Sequence, residues 1–103
     1  MKPLLTLALA IVLLCVAPTP AAEPEQPYDL VVAAVGPQNP RNSEAAIIPL
    51  KTGSLLLAWT EFYAGSGADH GPARIVGRVS ADTGRTWGDK YTLVENDGGC
   101  NVM

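Results

Sequence analysis

The octet Ser80-Ala81-Asp82-Thr83-Gly84-Arg85-Thr86-Trp87 has the composition of a tight turn between two β-strands. Asp82 carries a short carboxylate that accepts hydrogen bonds from backbone N–H groups one or two residues on, and Gly84 adopts positive φ without a Cβ clash. The hydroxyl of Ser80 can support the bend from the side. Trp87 then adds a large apolar surface that favours burial. These residues predict a hairpin at this point of the chain.

Short segments rich in β-branched residues, bounded by Gly, Pro or polar residues, surround this turn and recur earlier in the chain. No stretch outside the N-terminal leader has a helical period. The predicted strands are residues 29–35, 45–50, 55–62, 73–79 and 90–94. The last four, joined by short loops, predict an all-β chain with a four-stranded antiparallel sheet, which is the content of one propeller blade.

The fixed positions of the octet, Ser80, Asp82, Gly84 and Trp87, match Ser-x-Asp-x-Gly-x-x-Trp. This pattern resembles the Asp box, or BNR repeat, of sialidases (neuraminidases) and related β-propellers. The resemblance covers residues 40–103 and implies that the chain holds the first blade of a six-bladed propeller. In that family the box is a structural turn remote from the substrate, so the resemblance implies no chemistry at Asp82.

The first 22 residues have the features of a signal peptide: Lys2, an apolar run over residues 4–17, and small residues at the end. The run is short for a membrane span, so we expect export to the periplasm or the medium and no stable membrane insertion. Removing the leader deletes Lys2 and leaves six basic and ten acidic residues, which changes the formal charge from −3 to −4. This acidic balance argues against nucleic acid as a partner.

Metal and disulfide chemistry are not predicted. His70 is the only histidine, and Cys100 is the only cysteine left after the leader, so neither a metal-ligand cluster nor an internal disulfide is expected. We expect no cofactor.

The mature chain divides into a linker and a blade. Residues 23–40 begin with a Pro- and Glu-rich stretch, and their strand at 29–35 could be contributed to a neighbouring blade to close the ring. Residues 41–103 form the blade. About 60 residues bury too little surface for comfortable stability, so we expect that the remaining blades of a longer protein are needed for folding and activity.

Arg41 and Asp69 are the candidate functional residues. In a four-stranded antiparallel blade, the loop entering the first strand and the loop leaving the second lie at the same end, so both residues should share one rim. By resemblance to sialidases, Arg41 corresponds to an arginine that clamps the substrate carboxylate and Asp69 to the general acid/base. Glu44 and His70 are further candidates for substrate binding. An Asp in a partly closed pocket has its charged form disfavoured, so it can hold a proton near neutral pH.

Each of these residues also has a structural interpretation. Arg41 could form an ion pair with Glu44 within the loop. The sequence here is Arg41-Asn42-Ser43-Glu44, whereas sialidases usually have Arg-Ile-Pro at this arginine. Asp69 and His70 could be ordinary residues of a Gly-rich loop. Glu61, at the end of an apolar strand, is predicted to be solvated at the rim. Two tryptophans, Trp59 and Trp87, are predicted to lie in the core.

The favoured function is an exported sialidase-like glycoside hydrolase acting on terminal acidic sugars of a glycan. A carbohydrate-binding propeller without catalysis is the main alternative. A hydrolase or lyase acting on a uronic-acid polysaccharide is a third possibility, in which Arg41 would still bind a carboxylate. In sialidases the tyrosine nucleophile, its glutamate partner and two further arginines come from later blades, so we expect this chain to be inactive alone.

Overall fold

The computed structural model describes residues 16–98, 100 and 101. Over this part of the chain the fold is all-β, with one open four-stranded antiparallel sheet and no helix. The strands are β1 (Arg41–Pro49), β2 (Leu55–Phe62), β3 (Ala73–Ser80) and β4 (Tyr91–Val94), paired in chain order. Among the described residues no helix has the length and apolar character of a membrane span. Most of the predicted leader, residues 1–15, lies outside the described residues.

The centre of the sheet agrees closely with the sequence prediction. Strand β2 has the predicted bounds, and it pairs with β3 without a register shift from Leu55↔Ser80 to Phe62↔Ala73. Its largely apolar sequence suits a strand in the interior of a sheet. The predicted all-β class and the four-stranded antiparallel sheet are confirmed.

Strand β1 begins four residues earlier than predicted. Residues 41–44 were expected to form a polar loop, but Arg41, Asn42 and Ser43 pair with the last residues of β2. The polar composition concealed this pairing because backbone hydrogen bonds, rather than apolar burial, join these residues to β2. The register shifts between Ser43 and Ala46, and Glu44 has a φ of 46° at that bulge.

The octet forms the predicted turn between β3 and β4. Ser80 Oγ donates to Asp82 Oδ1 and accepts the Gly84 N–H, each at 2.8 Å. Asp82 Oδ1 also accepts the Thr86 N–H at 2.8 Å, which is four residues on rather than one or two. Gly84 has a φ of 89°, as its position in the pattern predicts. The turn is therefore closed by side-chain to backbone hydrogen bonds within the octet.

Asp82 is ionised over the whole working pH range. Hydrogen bonds from the hydroxyl and N–H of Thr86, and then from the hydroxyl of Ser80, lower the pKa of Asp82 to about 2. Both carboxylate oxygens of Asp82 accept hydrogen bonds within the turn, which is consistent with a structural role.

The two tryptophans differ in burial. Trp59 is 3% exposed, so its predicted place in the core is confirmed. Trp87 is only partly buried, and its Nε1 donates to Gly84 O at 3.1 Å. The core prediction is wrong for Trp87 because its indole packs on the turn itself and not between layers of the sheet.

Residues 29–35 do not form the predicted strand. The segment lies against the sheet instead: Asn42 Nδ2 donates to Ala33 O at 3.0 Å, and residues 30–32 lie beside Arg78 and Trp87. Although β1 and β4 each have an open edge, this segment pairs with neither of them. The idea that it pairs with a neighbouring blade stays a prediction.

The sheet leaves apolar side chains uncovered. The buried apolar residues are few: Trp59, Phe62, Ala73 and Val76. Large apolar residues of the two edge strands are at least 38% exposed, namely Ile47, Ile48, Tyr91, Leu93 and Val94. The described part of the chain thus buries the centre of one sheet and leaves its edges unpacked.

Candidate functional site

Arg41 and Asp69 lie together at one rim of the sheet, as predicted. Arg41 is the first residue of β1 and pairs with Phe62, the last residue of β2. The loop that follows Phe62 returns to Arg41, whose Nη1 donates to Asp69 Oδ1 at 2.5 Å and to Gly67 O at 3.2 Å. The turn over residues 80–87 follows the far end of β3, so the rim and the turn lie at opposite ends of the sheet.

The guanidinium of Arg41 stacks on an aromatic ring. Its Cζ lies 4.6 Å from the centroid of the fully buried Phe62 ring, which is cation–π geometry. The Arg41 side chain remains 36% exposed. A planar donor group fixed over a ring and open to solvent on part of its surface is suited to bind a carboxylate.

The loop between β2 and β3 is folded by its own backbone. Tyr63 N donates to Pro72 O at 3.1 Å, and Gly71 N donates to Ala68 O at 2.7 Å. Gly65 has a φ of 73°, and its N–H reaches Gln38 O at 3.2 Å. This last bond ties the loop to the turn that precedes β1, so both segments that carry the rim residues are held to each other.

Asp69 lies at the expected place, but its pKa is lowered and not raised as expected. Its side chain is 92% exposed, and the hydrogen bond and charge of Arg41 hold the pKa of Asp69 below its ordinary value. The sequence-based argument required a closed pocket that would raise this pKa. Within the described residues no such pocket surrounds Asp69, so this carboxylate is ionised near neutral pH.

Glu44 and His70 do not take part in the Arg41–Asp69 ion pair. Glu44 sits at the bulge of β1, is exposed, and accepts a hydrogen bond from Ser43 Oγ. The predicted Arg41–Glu44 ion pair is wrong, because the loop after β2 gives Arg41 a different carboxylate. His70 follows Asp69 in the loop and is exposed. Both residues lie at or near the rim, but Asp69 alone pairs with Arg41 among the described residues.

Three asparagines at this rim were not predicted from the sequence. Asn39 Nδ2 donates to Phe62 O at 2.7 Å and to Arg41 O at 3.0 Å, which fixes the start of β1 against the end of β2. Asn42 Oδ1 accepts Trp59 Nε1–H at 3.1 Å, and Asn101 Nδ2 donates to Asp69 O. No motif marks these residues, although Asn side chains often hydrogen-bond to nearby backbone groups in loops, as Asn39 does here.

Glu61 is buried, and its predicted place in solvent at the rim is wrong. The residue is 2% exposed, and its Oε1 accepts hydrogen bonds from Arg74 Nε at 3.2 Å and Nη2 at 2.9 Å. Lys90 Nζ donates to Oε2. Burial raises the pKa of Glu61, but the hydrogen bonds and charges of Lys90 and Arg74 lower it by more, so the pKa lies below its ordinary value. Glu61 is therefore an ionised group that ties β2 to β3 and to the residue before β4.

Within residues 16–98, 100 and 101, no three of the His, Cys, Asp and Glu side chains cluster as metal ligands would. Comparison with protein-family models, with curated proteins and with solved structures finds no match to this chain.

Proposed function

We propose that this chain is the first blade of an exported, sialidase-like β-propeller glycoside hydrolase that acts on terminal acidic sugars of a glycan. The observation that carries the proposal is the contact of Arg41 with Asp69 at the rim opposite the Asp-box turn. An anion-binding guanidinium and a carboxylate within 2.5 Å of each other are the minimum that the first blade of such an enzyme would contribute.

Arg41 is the carboxylate clamp in this proposal. In the structure its Nη1 donates hydrogen bonds to Asp69 Oδ1 and Gly67 O, and its guanidinium lies over the Phe62 ring. The carboxylate of an acidic sugar would compete with Asp69 for the same donors and can engage the guanidinium through two parallel hydrogen bonds. Substrate binding would therefore release Asp69 from its ion pair.

Asp69 is the general acid once it is released. Without Arg41 as partner, and with a sugar and later blades excluding water, the neutral carboxylic acid becomes the favoured form. Asp69 then donates its proton to the glycosidic oxygen as the bond from that oxygen to the anomeric carbon breaks. The resemblance to sialidases implies that a tyrosine of another blade is the nucleophile.

The need for further blades is supported by the exposed apolar side chains of the two edge strands. Blades of a propeller pack face to face, and each depends on its neighbours for burial. The exposed Ile47, Ile48, Tyr91, Leu93 and Val94 are the residues that such neighbours would cover. The leader over residues 1–22 supports export.

A carbohydrate-binding propeller without catalysis is the second candidate. The observation that favours it is the lowered pKa of the exposed Asp69, which suits a permanent ionic partner of Arg41 better than a proton donor. In this case the rim would bind an acidic sugar and release no product.

The deciding experiment is release of sialic acid from an α-sialyl-galactoside, whose poor alkoxide leaving group requires protonation, by the full-length protein and by its Asp69→Asn variant. Loss of a general acid should lower kcat by about 10²–10⁴-fold, and KM should fall, because the neutral amide of the Asp69→Asn variant no longer competes with the substrate carboxylate for Arg41. Asp89→Asn is the matched control, because Asp89 is an exposed aspartate outside the rim. Turnover that is equal in the Asp69→Asn and Asp89→Asn variants excludes Asp69 as the acid. Glycan binding without any turnover favours the second candidate.

A further inference from the structure

The end of the sheet opposite the Arg41–Asp69 rim holds an open cavity of about 230 Å³. Residues 30–32 form one wall, and Arg78, Arg85, Thr86 and Trp87 form the other. The cavity exists because the segment before β1 passes over the sheet beside the Asp-box turn without pairing to it. Its volume is below that of sites for drug-sized ligands and fits a small molecule.

The charge in this cavity is not balanced. Arg85 forms an ion pair with Glu25 and lies 6.0 Å from the ring centroid of Tyr28. Arg78 forms no ion pair within the described part of the chain, and its Nε is buried there without a hydrogen-bond partner. Since this Nε is closed to solvent, a ligand in the cavity would pair with the terminal Nη groups of Arg78, which has no carboxylate partner among the described residues.

The other surfaces of the cavity are apolar. Leu30, Val31 and Val32 contribute aliphatic side chains, and Trp87 contributes its indole, whose own N–H is already used by Gly84 O. A ligand here would place a carboxylate on Arg78 and an apolar ring between the indole and the aliphatic wall.

We propose that this cavity binds a small carboxylate carrying an apolar ring, with Arg78 as the anion-binding residue and Trp87 as the ring contact. The site is independent of the proposed hydrolase, because it lies at the other end of the sheet and uses none of the rim residues. Residues 30–32 complete it, which gives the segment before β1 a role in ligand binding.

The test is a titration of the full-length protein with benzoate, followed by the side-chain N–H signals of the two tryptophans and of Arg78. We expect saturable shifts of the Trp87 indole N–H and the Arg78 Nε–H, with the Trp59 indole unchanged because it is bound to Asn42 on the buried side. Benzamide, which has the same shape and no charge, should bind at least about tenfold more weakly, as expected when a charge-assisted pair is lost.

Variants extend the test. Arg78→Gln should weaken benzoate binding by about tenfold or more, and Lys51→Gln, at an exposed cation in the β1–β2 turn, should leave it unchanged. The proposal is overturned if benzoate gives no saturable shift, if benzamide binds as well as benzoate, or if Arg78→Gln binds as the original protein does. The comparison of benzoate with benzamide requires no variant, so it holds even if Arg78→Gln does not fold.

Discussion

At the scale of single residues, Glu61 is the group on which the buried centre of the sheet most depends. Its carboxylate is almost inaccessible, and it meets Arg74 on β3 and Lys90 before β4. An ion of this kind is stable only while its partners are present, because burial alone disfavours the charge. Sequence alone did not predict this, since an acidic residue at a strand end is usually solvated.

We expect Glu61→Gln to lower the free energy of unfolding by about 2–3 kcal/mol, because it removes charged hydrogen bonds and leaves two cations close together. Arg74 and Lys90 are each about a third exposed, and this keeps the loss below that of a fully buried pair. Urea denaturation at pH 7 measures it. Glu95→Gln, at an exposed position after β4, is the control and should change little.

The difference in stability between the original protein and the Glu61→Gln variant should depend on pH. Because the pKa of Glu61 in the fold is below its ordinary value of 4.5, the stabilisation is fully present above that value. It is lost as the pH falls through the lowered pKa. The stability difference between the original protein and Glu61→Gln should therefore narrow below about pH 4.5. A difference that is unchanged down to pH 2 would contradict the ionised state of Glu61.

At the scale of elements, the β3–β4 turn is the part that local sequence determines most fully. Gly84→Ala should destabilise the protein by about 1–2 kcal/mol, because an L-residue with a Cβ is strained at a φ of 89°. Gly88→Ala is the matched control in the same turn, where φ is not positive and a Cβ would lie 3.5 Å from Val79 O. Thermal unfolding compares the two, and equal effects would mean that the positive φ of Gly84 is not what the turn requires.

How well each element could be predicted follows from the origin of its stability. Strands β2 and β3 and the octet between β3 and β4 were predicted because apolar period and turn chemistry are local properties. The start of β1 was missed, since backbone pairing and the Asn39 side chain hold polar residues there. Residues 29–35 form no strand with this sheet, and their apolar composition could not show which edge, if any, they would pair with.

At the scale of the whole molecule, the two ends of the sheet differ in structure. One end carries the exposed Arg41–Asp69 pair, and the other carries the turn over residues 80–87 and the cavity beside Arg78. The topology of a four-stranded antiparallel sheet predicted that Arg41 and Asp69 would share one rim, but not that they would form an ion pair. It could not predict the exposure of Asp69 or its lowered pKa, because these depend on what surrounds the rim.

We propose that an acidic sugar takes Arg41 from Asp69 and so converts the Asp69 carboxylate into a general acid. The direct measurement is the pKa of Asp69 in the full-length protein, followed through its ¹³C carboxyl signal with and without saturating sialic acid. We predict a pKa below 3.8 in the free protein and a pKa above it in the complex. A pKa that stays low or falls further on binding would contradict the claim.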